Sequence, residues 1–177
     1  MTFTQGQVLD VCKVIAPTFK LDPLLVMAVC LQEGSRNKDG TFEPDVARLE
    51  NGFYRRYIEK LAYATTSEVL FSTSYGVMQL MGWEIKRMGF MEYYFNQSDI
   101  GLRAVLKRSD SQFAVPSALD AFCENLNWQI EYGCKLLVDK KNTAGGDEGL
   151  MLDYWNGDLT GKYRAEVLKR YNKLKKV

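Results

Sequence analysis

The chain has 177 residues, of which 46% are hydrophobic, and its formal net charge is +1. This length fits one domain over residues 1–177 with a sizeable core, and the small charge gives no overall field to attract nucleic acid. Histidine is absent, which excludes Ser-His-Asp and Cys-His catalysis and makes zinc a poor fit. If the chain is an enzyme, carboxylates must supply its chemistry.

Targeting and cofactor motifs are also missing. The longest clearly apolar run is about eight residues, whereas a membrane-spanning helix needs roughly 20, so we expect no membrane insertion. The first residues lack a basic region and a cleavage pattern, so we expect no signal peptide. No Gly-rich phosphate loop occurs, and none of the four cysteines lies in a CxxC pair. We therefore expect no cofactor, no metal and four reduced core thiols.

Apolar periodicity predicts helices from the start of the chain. The first covers residues 5–19, with Thr4 as its N-cap. The second starts with Asp22 as the cap, followed by proline, and ends at Gly34. Residues 24–31 of this helix are apolar on every side, so we expect it to be the central, buried helix.

Further helices follow, and strand signals are few. Helices are predicted over residues 53–63, 75–88, 117–139, 148–154 and 161–175, with short helical turns at 91–95 and 100–106. The expected N-caps are Ser74, Asp147 and Thr160. A hairpin over residues 41–48 is disfavoured by Pro44. The predicted class is mainly α, in a compact bundle-like domain.

Glu33 is the first candidate for chemistry, because it ends the buried second helix. A carboxyl group pressed against apolar walls has its ionised form disfavoured, which raises its pKa. A raised pKa is what a general acid needs near neutral pH. The plainer alternative is a solvated acid in a last helical turn.

Two other segments place polar side chains among apolar or aromatic neighbours. Residues 74–81 (Ser-Tyr-Gly-Val-Met-Gln-Leu-Met) put Gln79 on a predicted apolar helix, and residues 154–157 (Tyr-Trp-Asn-Gly) put rings and an amide at a turn. Each segment alone is explained by core packing or by a packed turn.

In this order, Glu33 and the two segments resemble the soluble type of lytic transglycosylase, in the lysozyme-like superfamily. That family shows Glu-Ser at a helix end, then Gly-Leu-Met-Gln, then Tyr-Asn-Ala-Gly. The resemblance covers residues 14–171, and residues 42–44 with 53–57 are similar to an insertion common in phage-encoded members. Two positions depart from the pattern, since Gly34 replaces the serine and Trp155 replaces the tyrosine.

The resemblance implies a lysozyme-like domain whose central helix ends at a catalytic Glu33. The partner would be the glycan strand of peptidoglycan, cut at the β-1,4 bond between N-acetylmuramic acid and N-acetylglucosamine. Glu33 would act as general acid and then base, giving a 1,6-anhydro product. The implied substrate contacts are Ser35, Ser74, Tyr75, Met78, Gln79, Tyr154, Trp155 and Asn156.

Alternatives to this function stay open. A hydrolytic muramidase would need a second carboxylate, about 5–9.5 Å from the first. The candidates are Glu43, Asp45 and Glu50, with Glu43 preferred because Phe42 and Pro44 flank it. A structural virion component of the tail or baseplate, without cleavage, is a second alternative, and a helical interaction module is a third. The missing signal peptide fits a phage protein that is carried in the virion or made in the host cytoplasm.

The last predicted helix is rich in cations. They are Lys169, Arg170, Lys173, Lys175 and Lys176. A solvated helix end explains them, since cations there suit the helix dipole. Contact with an anionic polymer is the functional interpretation.

Overall fold

The computed structural model describes residues 1–50, 66–97 and 114–176, and these ranges are mainly helical, which confirms the predicted class. The helices are α1 (Gln5–Ile15), α2 (Pro23–Glu33), α3 (Thr66–Phe71), α4 (Gly82–Arg87), α5 (Phe90–Gln97), α6 (Ala114–Glu124), α7 (Leu126–Thr143), α8 (Glu148–Asn156) and α9 (Lys162–Leu174). The strands are β1 (Arg48–Leu49), β2 (Thr73–Tyr75) and β3 (Leu80–Met81), which pair antiparallel in that order. The helices predicted over residues 53–63 and 100–106 lie outside the described residues.

The start of α1 is confirmed. The Thr4 hydroxyl accepts from the Gln7 N–H at 3.2 Å, and the Gln7 side chain accepts from the Thr4 N–H at 2.8 Å, which completes a capping box. The helix ends earlier than predicted, and a 3-10 turn covers Ala16–Phe19. Pro17 accounts for this change, because it lacks the N–H that would continue the α-helical ladder.

Helix α2 is the buried centre of the fold, as predicted. Asp22 caps it by accepting from the Leu24 N–H at 2.8 Å. All residues from 25 to 31 are buried, and α2 packs against α1 and α9. It ends at Gly34, whose φ of −65° any residue adopts. Glycine is required there by space, since a Cβ would lie 2.6 Å from a Phe42 ring carbon.

The helix predicted over residues 75–88 is wrong. Its first half is the β2–β3 hairpin, and only its second half is helical, as α4. The turn between the strands places Gly76 at φ +77° and Gln79 at φ +49°. These left-handed conformations cannot continue a right-handed helix. The Gln79 N–H closes the turn on the Gly76 carbonyl at 3.1 Å.

Helix α7 holds this hairpin in place. The buried Gln129 side chain accepts from the Val77 N–H at 2.8 Å. A Cβ at Gly133 would lie 2.1 Å from the Met78 sulfur, so the missing side chain makes the slot that Met78 fills. Val77 and Met78 are therefore buried in the core because they pack against α7.

The long helix predicted from residue 117 is two helices. Asn125 ends α6 and caps α7, accepting from the Trp128 N–H at 3.2 Å. The carbonyls of Phe122 and Cys123 accept from the Gln129 side chain at 3.1 and 2.7 Å. A polar side chain thus satisfies the backbone groups that the break exposes.

The last two helices begin differently. Asp147 caps α8 as predicted, accepting from the Leu150 N–H at 2.9 Å. The cap predicted at Thr160 is wrong, since α9 follows Gly161, which has φ +79°. The Thr160 hydroxyl instead donates to Asp158 at 2.6 Å within the preceding turn.

The core surrounds α2 and includes all four cysteines. Cys12, Cys30, Cys123 and Cys134 are free and buried, which confirms the prediction of reduced core thiols. Within the described ranges, no helix combines the length and the apolar character needed to cross a bilayer.

Candidate active site

One groove gathers side chains from α2, the small sheet, α7 and α8. Its cavity volume is about 290 Å³, close to the lower limit of about 300 Å³ for ligand sites. It is lined by Glu33, Glu50, Ser74, Gln79, Leu80, Met81, Glu84, Leu136, Lys140, Tyr154, Trp155, Asn156 and Gly157. Glu33, the hairpin and the end of α8 thus meet in one place, although they are far apart in sequence.

Glu33 lies at the end of α2, half-buried in this groove. Burial raises its pKa, as the sequence predicts, and the negative charge of Glu50 adds to this effect. The Tyr163 hydroxyl, the Trp155 N–H and the positive charge of Arg48 oppose it, but burial is the largest cause. The Trp155 indole donates to Glu33 Oε1 at 3.3 Å. Glu33 is therefore a carboxyl group that holds its proton more tightly than a solvated glutamate.

Tyr163 is a site residue that the sequence analysis missed. It is buried, with 7% of its surface exposed, and its hydroxyl lies beside the Glu33 carboxylate. The hydroxyl falls short of full hydrogen-bond geometry with every described partner. Burial and the Glu33 charge both raise the pKa of Tyr163, so it stays protonated. Tyr163, Val167 and Tyr171 follow one another at intervals of four residues along α9, and this helical spacing predicts that Tyr163 faces the core.

The second carboxylate at the groove is Glu50. The Ser74 hydroxyl donates to Glu50 Oε1 at 2.7 Å, and the Glu50 N–H donates to the Ser72 carbonyl at 2.9 Å. These two bonds fix the side chain and the backbone of Glu50 against β2. Glu50 therefore faces the groove from the sheet while Glu33 faces it from α2.

The acid preferred from the sequence, Glu43, is not among the groove-lining residues, whereas Glu50 is. Its N–H donates to the carbonyl of Ser35 at 3.0 Å, and Ser35 does not line the groove either. Asp45 pairs with the N-terminal amine at 2.7 Å. The flanking Phe42 is fully buried, and its backbone exchanges hydrogen bonds with Phe3.

The hairpin contributes two of its four predicted contacts. Ser74 and Gln79 line the groove, whereas Tyr75 and Met78 do not. Tyr75 is 6% exposed and Met78 is 1% exposed, so both are core residues and their predicted contact with substrate is corrected. The Tyr75 hydroxyl donates to the Leu70 carbonyl at 3.0 Å. Ser74 and Tyr75 are neighbours on β2, so their side chains point to opposite faces of the strand. Met78 lies in the turn, where it fills the slot at Gly133.

The side-chain nitrogen of Gln79 is hydrogen-bonded, whereas its side-chain oxygen is not. Its nitrogen donates to the carbonyls of Gly76 at 3.0 Å and Val46 at 3.2 Å. Its oxygen is buried and has no hydrogen-bond partner among the described residues. The oxygen is therefore a buried acceptor behind the groove wall that no described residue satisfies.

The end of α8 supplies the opposite wall, with Tyr154, Trp155 and Asn156 all lining the groove as predicted. The helix is anchored by Asp153, which is 2% exposed and lies 3.4 Å from the guanidinium of Arg164 on α9. Glycines at 149 and 161 leave room for that guanidinium, since a Cβ at either would lie 2.9 Å from it.

Acids outnumber cations in the groove. Glu33, Glu50 and Glu84 line it together with one cation, Lys140. Among the residues described, no three His, Cys, Asp or Glu side chains come together in a way that could hold a metal ion. The arrangement can donate a proton from Glu33 and offer hydrogen bonds and aromatic rings to a polar ligand.

No protein-family description, curated protein or solved structure matches this chain. Its function is therefore inferred from the geometry of the groove and from the ordered motifs that lie in it. Both concern the same residues, Glu33, Gln79 and Trp155.

Proposed function

We propose that this protein is a peptidoglycan-cleaving glycosidase with a lysozyme-like fold, and that Glu33 is its proton donor. One observation carries the proposal: a carboxyl group with a raised pKa ends the buried helix in a groove that also contains Gln79 and Trp155. Its use would be phage entry or host lysis, as a virion-associated or a released protein.

Glu33 begins the reaction protonated. It gives its proton to the glycosidic oxygen between N-acetylmuramic acid and N-acetylglucosamine as the bond from that oxygen to C1 breaks. The Trp155 N–H, which donates to Glu33 Oε1, stabilises the carboxylate that results. Burial favours the protonated form of Glu33 before the proton is transferred, and the Trp155 N–H stabilises the carboxylate afterwards.

The second half of a transglycosylase reaction uses the same carboxylate. Glu33 takes the proton from the C6 hydroxyl of the muramic acid while the C6 oxygen bonds to C1. The products are a 1,6-anhydro end and a reprotonated Glu33, so no water is consumed. One carboxylate is enough for this route.

The walls of the groove would bind the sugars. Gln79 lines the groove, where its amide would hydrogen-bond an acetamido group. Tyr154 offers an aromatic face, and Asn156 offers an exposed amide. Neutral sugars suit such a groove, because they bind through hydrogen bonds and ring faces rather than charge.

Hydrolysis is the second candidate, and Glu50 is the observation that favours it. Glu50 lines the same groove, its charge raises the pKa of Glu33, and Ser74 fixes its side chain. A second carboxylate in this position would activate water or stabilise the sugar cation. The two candidates differ in product, so they can be separated.

The first experiment compares the wild type with Glu33→Gln on purified cell-wall sacculi. We expect the rate of fragment release to fall about 10²- to 10⁴-fold, the usual contribution of a general acid. Glu166→Gln, at an exposed acid on α9, is the matched control and should keep full activity. Undiminished release by Glu33→Gln would reject the proposal. Wild-type binding without release would favour a structural, glycan-binding virion component.

The second experiment analyses the fragments by mass spectrometry after digestion in water enriched in ¹⁸O. Anhydro ends without ¹⁸O indicate a transglycosylase, and reducing ends that contain ¹⁸O indicate a muramidase. Glu50→Gln then decides the role of Glu50. A large loss is expected if the product is reducing, and a small loss if the product is anhydro.

A further inference from the structure

A second groove lies between α1, α2 and α9, and no residue described as lining it also lines the first. Its cavity volume is about 830 Å³. Its rim holds five cations, Lys13, Arg36, Arg170, Lys173 and Lys175, and no acid is among its described lining residues. The groove is therefore strongly basic in a chain whose net charge is +1.

The floor of this basic groove is made of leucines. Leu9, Leu24 and Leu174 are half-buried, and Leu31 is 8% exposed. They come from three different helices but line the same groove, so they are not scattered exposed residues. An apolar strip bounded by polar residues is typical of an interaction site.

The protein itself balances little of the rim charge. Lys13 pairs with Asp10 at 3.5 Å, but both side chains are more than half exposed. Such a surface pair contributes little. Arg36 and Lys173 have no ion-pair partner in the described parts of the chain. Arg170 donates to the Gln32 side chain at 2.8 Å, and Lys175 lies 4.3 Å from the centre of the Tyr171 ring. Arg36 and Lys173 are therefore the rim cations that a negatively charged partner would neutralise first.

We propose that the basic groove docks an acidic amphipathic helix of a partner protein. The apolar face of such a helix would pack on the leucine floor, as a helix packs into the groove between neighbouring helices. Its acidic flanks would lie against the lysines and arginines of the rim, which sets orientation and speeds association. This binding mode does not depend on the glycosidase proposal.

The concave shape and the apolar floor decide between ligand classes. A purely polar polyanion would use the rim and leave the leucines exposed. A flat anionic membrane would meet the rim without reaching the floor of a groove. An amphipathic helix uses both features at once, which makes it the occupant that the groove fits.

The test uses a synthetic peptide of about 18 residues, with leucine at helical spacing and glutamate on both flanks of the leucine face. Its binding to the full chain is measured by fluorescence anisotropy. We expect a micromolar Kd, weakened several-fold when NaCl rises from about 50 to about 300 mM. A scrambled peptide of equal composition should bind at least tenfold more weakly.

Variants locate the binding. The double charge reversal Lys13→Glu with Lys173→Glu should weaken peptide binding about tenfold or more, because two rim attractions become repulsions. Lys162→Glu with Lys169→Glu changes two exposed lysines of α9 that do not line the groove. This matched control should bind the peptide within about twofold of the wild type.

Several outcomes would overturn the proposal. They are no binding at about 1 mM peptide, equal binding of the scrambled peptide, or equal effects of the two double variants. Tighter binding to vesicles of anionic phospholipid than to the peptide would assign the groove to a membrane surface instead. Self-association that the Lys13→Glu, Lys173→Glu variant abolishes would assign it to a second copy of the chain.

Discussion

The two grooves differ in charge and in construction although α2 contributes to both. Glu33, at the end of α2, lies in the groove that contains three carboxylates and one lysine. Leu24 and Leu31, on the same helix, lie in the groove that contains five cations. Overall charge thus gives no information about either site, because folding sorts opposite charges onto different walls around a helix that is itself apolar.

The grooves also differ in how their walls are held. Side-chain hydrogen bonds fix the acidic groove, from Ser74 to Glu50, from Gln79 to Val46 and from Trp155 to Glu33. The basic groove is walled by packed helices, and its rim consists of long, mainly solvated side chains. Rigid placement suits a reaction, and adaptable charge suits docking.

The largest effect is expected at the ion pair between α8, which lines the first groove, and α9, which lines the second. Arg164→Met removes the cation beside the buried Asp153 and loosens α8 from α9. Because an unpaired buried carboxylate is costly, we expect a loss of about 2–4 kcal/mol in the free energy of unfolding. Denaturant unfolding measures it, and both cleavage and peptide docking should weaken.

The control for that change is Arg87→Met. Arg87 bonds to Glu84 at 2.6 Å and Asp139 at 2.8 Å, but it is 45% exposed. A surface pair of this kind should cost less than about 1 kcal/mol. An equal loss in the two variants would contradict the role of the buried pair.

A second change tests the helix end between the grooves. Gly34→Ser restores the residue of the lytic transglycosylase pattern, but its Cβ would lie 2.6 Å from the Phe42 ring. We expect a loss of about 1–3 kcal/mol from overpacking, together with slower cleavage. Gly6→Ala is the control, since its Cβ meets only the Thr4 hydroxyl at 3.8 Å. An unchanged melting temperature for Gly34→Ser would show that Phe42 moves aside freely.

Glu33→Gln should change both the stability of the protein and its cleavage activity, while leaving the second groove unaffected. Burial raises the pKa of Glu33, so the folded state binds this proton more tightly than the unfolded chain does. Its stabilising effect is complete below the ordinary pKa of 4.5 and is lost as pH rises through the raised pKa. Gln, which never ionises, should therefore be more stable than the wild type at pH values above the raised pKa, by about 1 kcal/mol, with the advantage shrinking towards low pH. Peptide docking should not change.

The last change, Trp155→Phe, leaves the Glu33 carboxyl group in place and alters only its surroundings. Removing the N–H that favours ionised Glu33 should raise the pKa of Glu33 further and move the alkaline limb of cleavage to higher pH. The rate at the optimum should fall about tenfold, as for a lost hydrogen bond to a charged group. Trp83→Phe, at a tryptophan that is 47% exposed, should leave the pH profile in place. A shift in both variants would mean that the indole N–H is not the cause.

Local signals predicted the parts of the fold that depend on one segment. The caps at Thr4, Asp22 and Asp147 and the burial of α2 are confirmed, because capping and apolar periodicity act within a few residues. The helix predicted across Gly76 failed, because a run of apolar residues fits a buried strand as well as a helix. Tertiary support from Gln129 and Gly133 decided for the hairpin.

The sequence by itself determined that Glu33 ends an apolar helix and that no histidine competes with it for proton chemistry. Tertiary structure decided the surroundings of that carboxylate: Glu50 rather than Glu43 from the sheet, Tyr163 from α9, and Trp155 as a donor. Helix ends are specified by neighbours in the chain, whereas the groups that face a buried charge come from distant segments. Their arrangement depends on packing that no single segment encodes.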